Sequence, residues 1–248
     1  MKNTQAILIA DKFEIIPTAK RVRIFYNNKV IADSSNAVLL REQDHVPIYY
    51  FPREDVRHEF LEQTDHRSRC PHKGEASYWT VRVGKKNSED AAWAYLDPAG
   101  NADMLSDYLA FYWSKMDAWF EEDEKVDVHA RDPYHRIDIL KSSRHIKVVI
   151  QGEVITETKR PTLLFETKLP VRYYIPRLDV DFSFLEPGSI KTHCPYKGEA
   201  KYYSVRAGDK LLANLIWTYP YAKTEALAVA DQLCFYQEKT DEFTVSED

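Results

Sequence analysis

The sequence predicts a mainly β protein of two tandem domains, each an antiparallel β-rich unit closed by a C-terminal helix. Three observations predict this class: an internal repeat through the chain, short apolar stretches separated by turn residues, and a segment of helical spacing near the end of each repeat. We place the domains at residues 1–124 and 125–248 and expect them to pack with pseudo-twofold symmetry.

The repeat is clearest in two short elements. CPHKGEASY at 70–78 returns as CPYKGEAKY at 194–202, and YYFPREDV at 49–56 returns as YYIPRLDV at 173–180. Both pairs keep one offset, and the alignment around them needs no gap until a small insertion or deletion that we place after Gly84. A unit of this length is a duplicated domain rather than a solenoid repeat.

Each copy is predicted to contain a hairpin followed by further short strands. Strand patterns at 22–26 and 29–32 flank Asn27-Asn28, and the second copy has the tight-turn pair Gln151-Gly152. More strands are expected at 37–40, 47–51, 76–83 and 91–96. Apolar residues at helical spacing then predict helices over 103–120 and roughly 224–236.

Composition narrows the class of function. The chain has 248 residues, 44% of them hydrophobic, and a net charge of −5, which indicates a globular protein and argues against a general nucleic-acid binder. No segment is long enough to span a bilayer. The three cysteines form no CxxC pair, so they cannot supply a zinc quartet. We expect a cytoplasmic monomer or homodimer that needs neither a metal nor another cofactor.

Polar and reactive residues retained in both copies are the candidates for chemistry. Cys70 precedes Lys73 by three residues, so the ammonium could favour a thiolate that acts as a nucleophile or contacts a ligand, although cysteine more often packs as a small buried residue. Lys73 could hold an anionic ligand or pair with a carboxylate such as Glu75. We predict catalytic roles for these residues and their second-copy counterparts: Lys73, Lys197, Glu75, Glu199, Cys70 and Cys194.

A second retained set suits ligand binding. The Arg–Asp pair after each strand-ending proline could bind a polar group or anchor the loop, and the aromatic residues could line a pocket or fill the core. The predicted ligand-binding residues are Arg53, Asp55, Tyr78, Trp93, Arg177, Asp179, Tyr202 and Trp217.

These motifs resemble a known family. The order YYFPREDV, CPxKGEAxY, a WxYP-like strand and a segment ending in Phe-Tyr is similar to that of the DUF427 family, over nearly the whole chain and twice. The resemblance implies a β-tent-like fold related to the ligand-binding domain of cereblon and to methionine sulfoxide reductase B. Those relatives hold zinc on CxxC pairs that this chain lacks, so zinc is not implied. The family implies a pocket but no known activity.

Three functions follow as expectations. The first is a cofactor-independent enzyme that acts on a small polar metabolite in a pocket lined by CPxKGEAxY, with lysine as electrostatic stabiliser and a carboxylate as acid or base. The second is a small-molecule binding or sensor module with the same pocket and no catalysis. The third is a scaffold or partner-binding protein.

Overall fold

The chain forms two compact units, Met1–Asp132 and Pro133–Asp248, in a computed structural model that describes residues 8–9 and 12–247. The division falls later than the predicted boundary after residue 124, because the strand Glu124–Val126 pairs with Ala118–Glu121 of the first unit. Each unit is described by itself. Packing of the two with pseudo-twofold symmetry stays a prediction.

The first unit contains two antiparallel sheets. The larger has the order β1-β2-β5-β6-β10-β9-β8-β7, and the smaller has the order β12-β11-β3-β4. The strands are β1 Leu8–Ile9, β2 Phe13–Pro17, β3 Val22–Tyr26, β4 Lys29–Ser34, β5 Val38–Glu42, β6 Ile48–Pro52, β7 Leu61–Cys70, β8 Gly74–Val83, β9 Lys86–Ala94, β10 Tyr108–Phe111, β11 Ala118–Glu121 and β12 Glu124–Val126.

The second unit repeats the arrangement of β2 to β11. Its larger sheet has the order β13-β16-β17-β21-β20-β19-β18, and its smaller sheet has the order β15-β14-β22. The strands are β13 Ile137–Lys141, β14 His145–Ile150, β15 Glu153–Thr158, β16 Thr162–Glu166, β17 Arg172–Ile175, β18 Leu185–Cys194, β19 Gly198–Ala207, β20 Lys210–Thr218, β21 Leu233–Phe235 and β22 Glu242–Ser246.

The predicted C-terminal helices are wrong. Residues 103–120 instead form the end of a 3-10 helix, the strand β10, a second 3-10 helix and the strand β11. Strand β10 lies inside the sheet between β6 and β9, so Leu109, Ala110 and Phe111 are all buried and the strand shows no alternation. When a buried strand is flanked by short turns that also carry apolar residues, the apolar residues recur at a spacing similar to that of a helix.

All helices of the described residues are short 3-10 helices. In the first unit they span Arg53–Asp55, His58–Phe60, Gly100–Asp107 and Trp113–Lys115. In the second they span Arg177–Asp179, Phe182–Phe184, Thr224–Val229 and Gln237–Lys239, so the helix predicted over 224–236 is likewise a 3-10 turn followed by β21. None of the helices described is long or apolar enough to cross a lipid bilayer.

The large sheet of the first unit is apolar on both faces. Because neighbouring residues of a strand point to opposite faces, Tyr49 and Phe51 pack with β3 and β11 in one cluster, while Tyr50 packs with Trp93 in another. The 3-10 helix Gly100–Asp107 covers the second cluster through Ala102 and Leu105. The second unit repeats both clusters. The candidate site includes the Tyr50 face, and its lining continues to Tyr49, Phe111 and Trp119 of the other cluster.

The offset between the units is constant to the end of the repeat. The structure pairs Tyr78 with Trp93 across β8 and β9, and Tyr202 with Trp217 across β19 and β20. Trp93 and Trp217 are therefore equivalent, and the small insertion or deletion expected after Gly84 is absent from this alignment. Sequence comparison alone matches Tyr95-Leu96-Asp97-Pro98 with Trp217-Thr218-Tyr219-Pro220, because aligning the two prolines also aligns aromatic residues two positions out of register.

Candidate functional site

The CPxKG element is the hairpin turn between two long strands. Cys70 pairs with Gly74, which has a φ of +91°, and a Cβ at Gly74 would lie 3.1 Å from the Ala99 nitrogen. The Ala99 N–H donates to the Lys73 carbonyl at 3.1 Å, and Lys223 does the same to Lys197. Glycine is required by this positive φ and close approach, and the turn holds the preceding lysine against the sheet.

Each lysine forms a buried ion pair that sequence reasoning did not identify. Lys73 Nζ lies 2.5 Å from Glu42 Oε2, and Lys197 Nζ lies 2.5 Å from Glu166 Oε2. The lysine side chains are only 5% and 9% exposed. A charge this buried is tolerated only with its partner, so each pair is locally neutral and stabilises both charges.

The surroundings of the two ion pairs differ. In the first unit, Lys73 Nζ lies 5.9 Å from the ring centres of both Phe13 and Tyr95. In the second unit, His135 Nε2 lies 2.9 Å from the free oxygen of Glu166 and its ring stacks on Tyr196 at 4.2 Å. His135 thus gives Glu166 a partner besides its lysine.

A tyrosine–tryptophan pair forms the wall beside each lysine. Trp93 Nε1 donates to the Tyr50 hydroxyl at 3.2 Å, and Trp217 Nε1 donates to Tyr174 at 3.1 Å. Burial raises the pKa of Tyr50 and of Tyr174 well above the ordinary range, so both hydroxyls stay neutral. This wall offers fixed hydrogen-bonding groups and no proton that leaves near neutral pH.

The tryptophan also packs against a second tyrosine. The rings of Trp93 and Tyr112 lie 4.5 Å apart, and those of Trp217 and Tyr236 lie 4.6 Å apart. Burial, with hydrogen bonding to Tyr78, raises the pKa of Tyr112 to about 12. Burial and Tyr202 raise the pKa of Tyr236 to about 12 in the same way. We call each of these Trp–Tyr arrangements the aromatic pair.

The cavities beside the two aromatic pairs differ in size. The first unit has a cavity of about 920 Å³, with Lys73 and Glu42 among its lining residues and a mostly aromatic wall that includes Tyr50, Tyr78, Trp93, Tyr95, Tyr112 and Trp113. The cavity at the equivalent position of the second unit holds about 180 Å³. The first falls within the range of ordinary ligand pockets, and the second lies below it.

Arg172 accounts for part of this difference. It occupies the position of Ile48, since Leu164 pairs with Arg172 as Leu40 pairs with Ile48. Its guanidinium carbon lies 5.4 Å from the Trp217 ring centre and 5.8 Å from that of Tyr236. Burial opposes this charge, but the hydrogen bonds and charge of Glu238 outweigh burial and raise the pKa of Arg172.

Six of the predicted residues line the two cavities. They are Lys73, Tyr78 and Trp93 in the first unit and Lys197, Tyr202 and Trp217 in the second. These aromatic residues belong to the core and also line a cavity. The two interpretations that the sequence left open, core packing and pocket lining, are therefore compatible. Their roles in ligand binding stay predictions.

The predicted carboxylates of CPxKGEAxY do not line either cavity. Glu75 is 68% exposed, and its nearest cation is Arg67 at 4.0 Å. Glu199 lies 3.1 Å from Lys191 and 3.4 Å from His193. Both follow the lysine by two residues, but the positive φ of the intervening glycine turns them to the other side of the hairpin.

The predicted Arg–Asp pairs also lie outside the cavities. Asp55 accepts a hydrogen bond from Ser34 at 2.6 Å, and the Arg53 guanidinium lies 6.0 Å from the Trp79 ring centre. Asp179 binds Arg160, while Arg177 lies 3.5 Å from Asp231. The arginine and aspartate of one motif therefore bind different partners, and both anchor the 3-10 turn after β6 or β17.

Cys70 and Cys194 are half-buried and neither lines a cavity. Burial, with the neighbouring Cys70 thiol and Glu42, raises the pKa of Tyr95. Cys70 thus packs against the tyrosine behind Lys73, whose ammonium is 2.5 Å from Glu42. This placement favours packing over nucleophilic attack.

Sequence reasoning missed the glutamates and Arg172. Glu42 and Glu166 keep the same offset as the lysines, so comparison of the copies contained that signal. Arg172 is a position where the copies differ, and a comparison restricted to retained residues passes over it. Among the described residues, no group of three or more histidine, cysteine, aspartate or glutamate side chains could hold a metal ion.

Comparisons with known proteins agree with the repeat. No curated protein matches the chain. The family model described as "Domain of unknown function (DUF427)" matches residues 14–122 and again residues 138–246. The two matches include most of the chain and correspond to the two units. The chain therefore belongs to the DUF427 family and consists of two consecutive copies of its domain.

Proposed function

We propose that the first unit binds a small organic molecule in the cavity beside Lys73 and Trp93. The observation that carries the proposal is the combination of about 920 Å³ of space, a mostly aromatic wall and a single buried ion pair. Ligand sites commonly join an apolar wall to a few fixed polar groups in this way.

The ion pair defines the polar end of this site. The Lys73 ammonium has three N–H donors, one of which binds Glu42, and the carboxylate has further lone pairs. Because the two charges cancel, the pair favours a polar group that accepts from Lys73 or donates to Glu42 over an isolated phosphate. This supports a small molecule with a flat apolar body and a polar end.

The second unit serves as the structural copy in this proposal. It retains the lysine–glutamate pair and the aromatic pair, but Arg172 and Glu238 occupy the approach to them. A space of about 180 Å³ is too small for a molecule of ordinary metabolite size.

The three cysteines are all unpaired, which supports the expected cytoplasmic location.

A direct test is ligand-observed NMR with a set of monocyclic and bicyclic aromatic fragments. We expect fragments to bind the native chain and to lose binding at least tenfold in Tyr112→Leu. The matched variant Tyr236→Leu removes the same ring from the second unit and should leave binding unchanged. Circular dichroism must show both variants folded. Absence of fragment binding to the native chain, or equal loss in both variants, would contradict the proposal.

Catalysis in the same cavity is a second candidate, supported by the 2.5 Å contact between Lys73 and Glu42. A ligand that separated the two groups would meet an ammonium for electrostatic stabilisation beside a carboxylate base. A bound fragment with a hydrolysable ester can be followed by NMR. Turnover lost in both Lys73→Met and Glu42→Gln, with fragment binding retained in one of them, would support catalysis, and unchanged ester would contradict it.

A further inference from the structure

The second unit shows which chemical group the aromatic pair accommodates. The Arg172 guanidinium lies within 6 Å of the ring centres of both Trp217 and Tyr236, the distance at which a cation is attracted to an aromatic face. Arginine is also planar and weakly hydrated, so it stacks on rings more readily than lysine does. Arg172 therefore occupies the site as an internal ligand.

The first unit keeps the aromatic pair and lacks the internal cation. Trp93 and Tyr112 are 4.5 Å apart, close to the 4.6 Å of Trp217 and Tyr236, and Ile48 stands where the second unit has Arg172. A lysine contacts the tyrosine in both units, Lys115 at 5.1 Å and Lys239 at 4.1 Å, so it does not account for the difference.

The ion-pair partner of Arg172 has changed together with it. Glu238 lies 3.0 Å from the guanidinium, and the equivalent residue of the first unit is Ser114, which lines the large cavity. These two positions lie far apart in sequence, yet they hold a charged pair in the second unit and an uncharged pair in the first. The change from Arg172 and Glu238 to Ile48 and Ser114 leaves room for an external cation.

We propose that the first unit recognises a small molecule carrying a planar guanidinium or amidinium group, held against the rings of Trp93 and Tyr112 as Arg172 lies against those of Trp217 and Tyr236. This inference rests on the proposed small-molecule function and names its ligand class. Glu42 lines the same cavity, where it is paired with Lys73. A guanidino compound that also carries an acceptor satisfies both ends of the cavity.

Isothermal titration calorimetry with benzylguanidine and benzylurea tests the charge requirement, since the two probes share shape and differ in charge. A cation beside aromatic rings is attracted to their faces and the neutral urea is not, so we expect benzylguanidine to bind at least tenfold more tightly. A blocked tripeptide, acetyl-Gly-Arg-Gly-amide, distinguishes a peptide arginine from a free guanidino compound and should bind more weakly than benzylguanidine.

Exchanging the differing pair between units provides the reciprocal test. Arg172→Ile with Glu238→Ser should open the second unit and raise the stoichiometry for benzylguanidine from one to two. Ile48→Arg with Ser114→Glu should fill the first unit and reduce binding at least tenfold. Circular dichroism and thermal melting show that each variant is folded.

The outcomes separate the inference from the function on which it rests. Equal affinity for benzylguanidine and benzylurea would overturn the inference and leave the binding function standing. Tight binding of the tripeptide would assign the site to a peptide arginine instead. A folded Arg172→Ile, Glu238→Ser variant that stays at one site would also overturn the inference. If neither probe nor any aromatic fragment binds, the proposed function itself fails.

Discussion

The two units have one framework and differ at the mouth of one cavity. Both keep the turn glycine, the lysine–glutamate pair at 2.5 Å and the tyrosine–tryptophan hydrogen bond. Only the second has Arg172 and Glu238 across the aromatic pair. The second unit keeps its lysine although its cavity holds only about 180 Å³. The ion pair alone therefore explains why the lysine is retained. Ligand specificity is expected to depend on the residues that differ.

The largest expected effect is that of removing either lysine. Lys73→Met and Lys197→Met each leave a largely buried carboxylate without its lysine and should lower the free energy of unfolding by about 3–5 kcal/mol, with the smaller loss for Lys197→Met because His135 still contacts Glu166. Urea denaturation measures this loss. If the loss comes from the unpaired carboxylate, adding Glu42→Leu to Lys73→Met should recover most of the lost stability. A loss below about 1 kcal/mol in either unit would show that its lysine–glutamate pair does not stabilise the fold.

A smaller effect is expected at the tyrosine hydroxyl that accepts from tryptophan. Tyr174→Phe leaves the buried Trp217 N–H without its partner and should cost about 1–3 kcal/mol. Tyr50→Phe should cost a similar amount, because Trp93 and Trp217 are equally buried, at 7% and 8% exposed. Urea denaturation of both variants measures the two costs. A clearly smaller cost in one unit would contradict this equivalence.

The smallest difference is expected at high pH. The pKa of Tyr112 and that of Tyr236 are both raised to about 12, above the value of about 10 for an unfolded tyrosine. Their contribution to stability is therefore full below pH 10 and is lost as pH rises towards 12. Tyr112→Phe and Tyr236→Phe should reduce the fall in urea midpoint between pH 9 and 11 to a similar extent. Opposite effects would contradict this.

The sequence predicted the parts of the fold that local chemistry determines. The hairpin of β3 and β4 formed as expected because Asn27 and Asn28 tolerate the positive φ of 45° and 60° that its turn requires. Strand β7 was missed because its sequence LEQTDHRSRC is polar on both faces. It is an edge strand, where charges and a bulge between Gln63 and Arg67 are tolerated.

The candidate site was only partly predictable. The lysines and aromatic residues were found because both copies retain them, yet Glu75 was chosen over Glu42 because it lies nearer in sequence. The true partner of Lys73 lies 31 residues away at the end of β5, which β6, β10 and β9 separate from β8 in the sheet, so the pairing depends on strand order. Arg172 could not be assigned because its effect depends on the cavity that it fills.

The constant offset between the units has a practical consequence. The family matches, 14–122 and 138–246, have equal length, and one constant offset relates each position of the first to a position of the second. The two units can therefore serve as the two parent sequences of a recombination experiment. A hairpin can be exchanged between them without altering any loop, so each wall of the open cavity can be transplanted separately into the closed one.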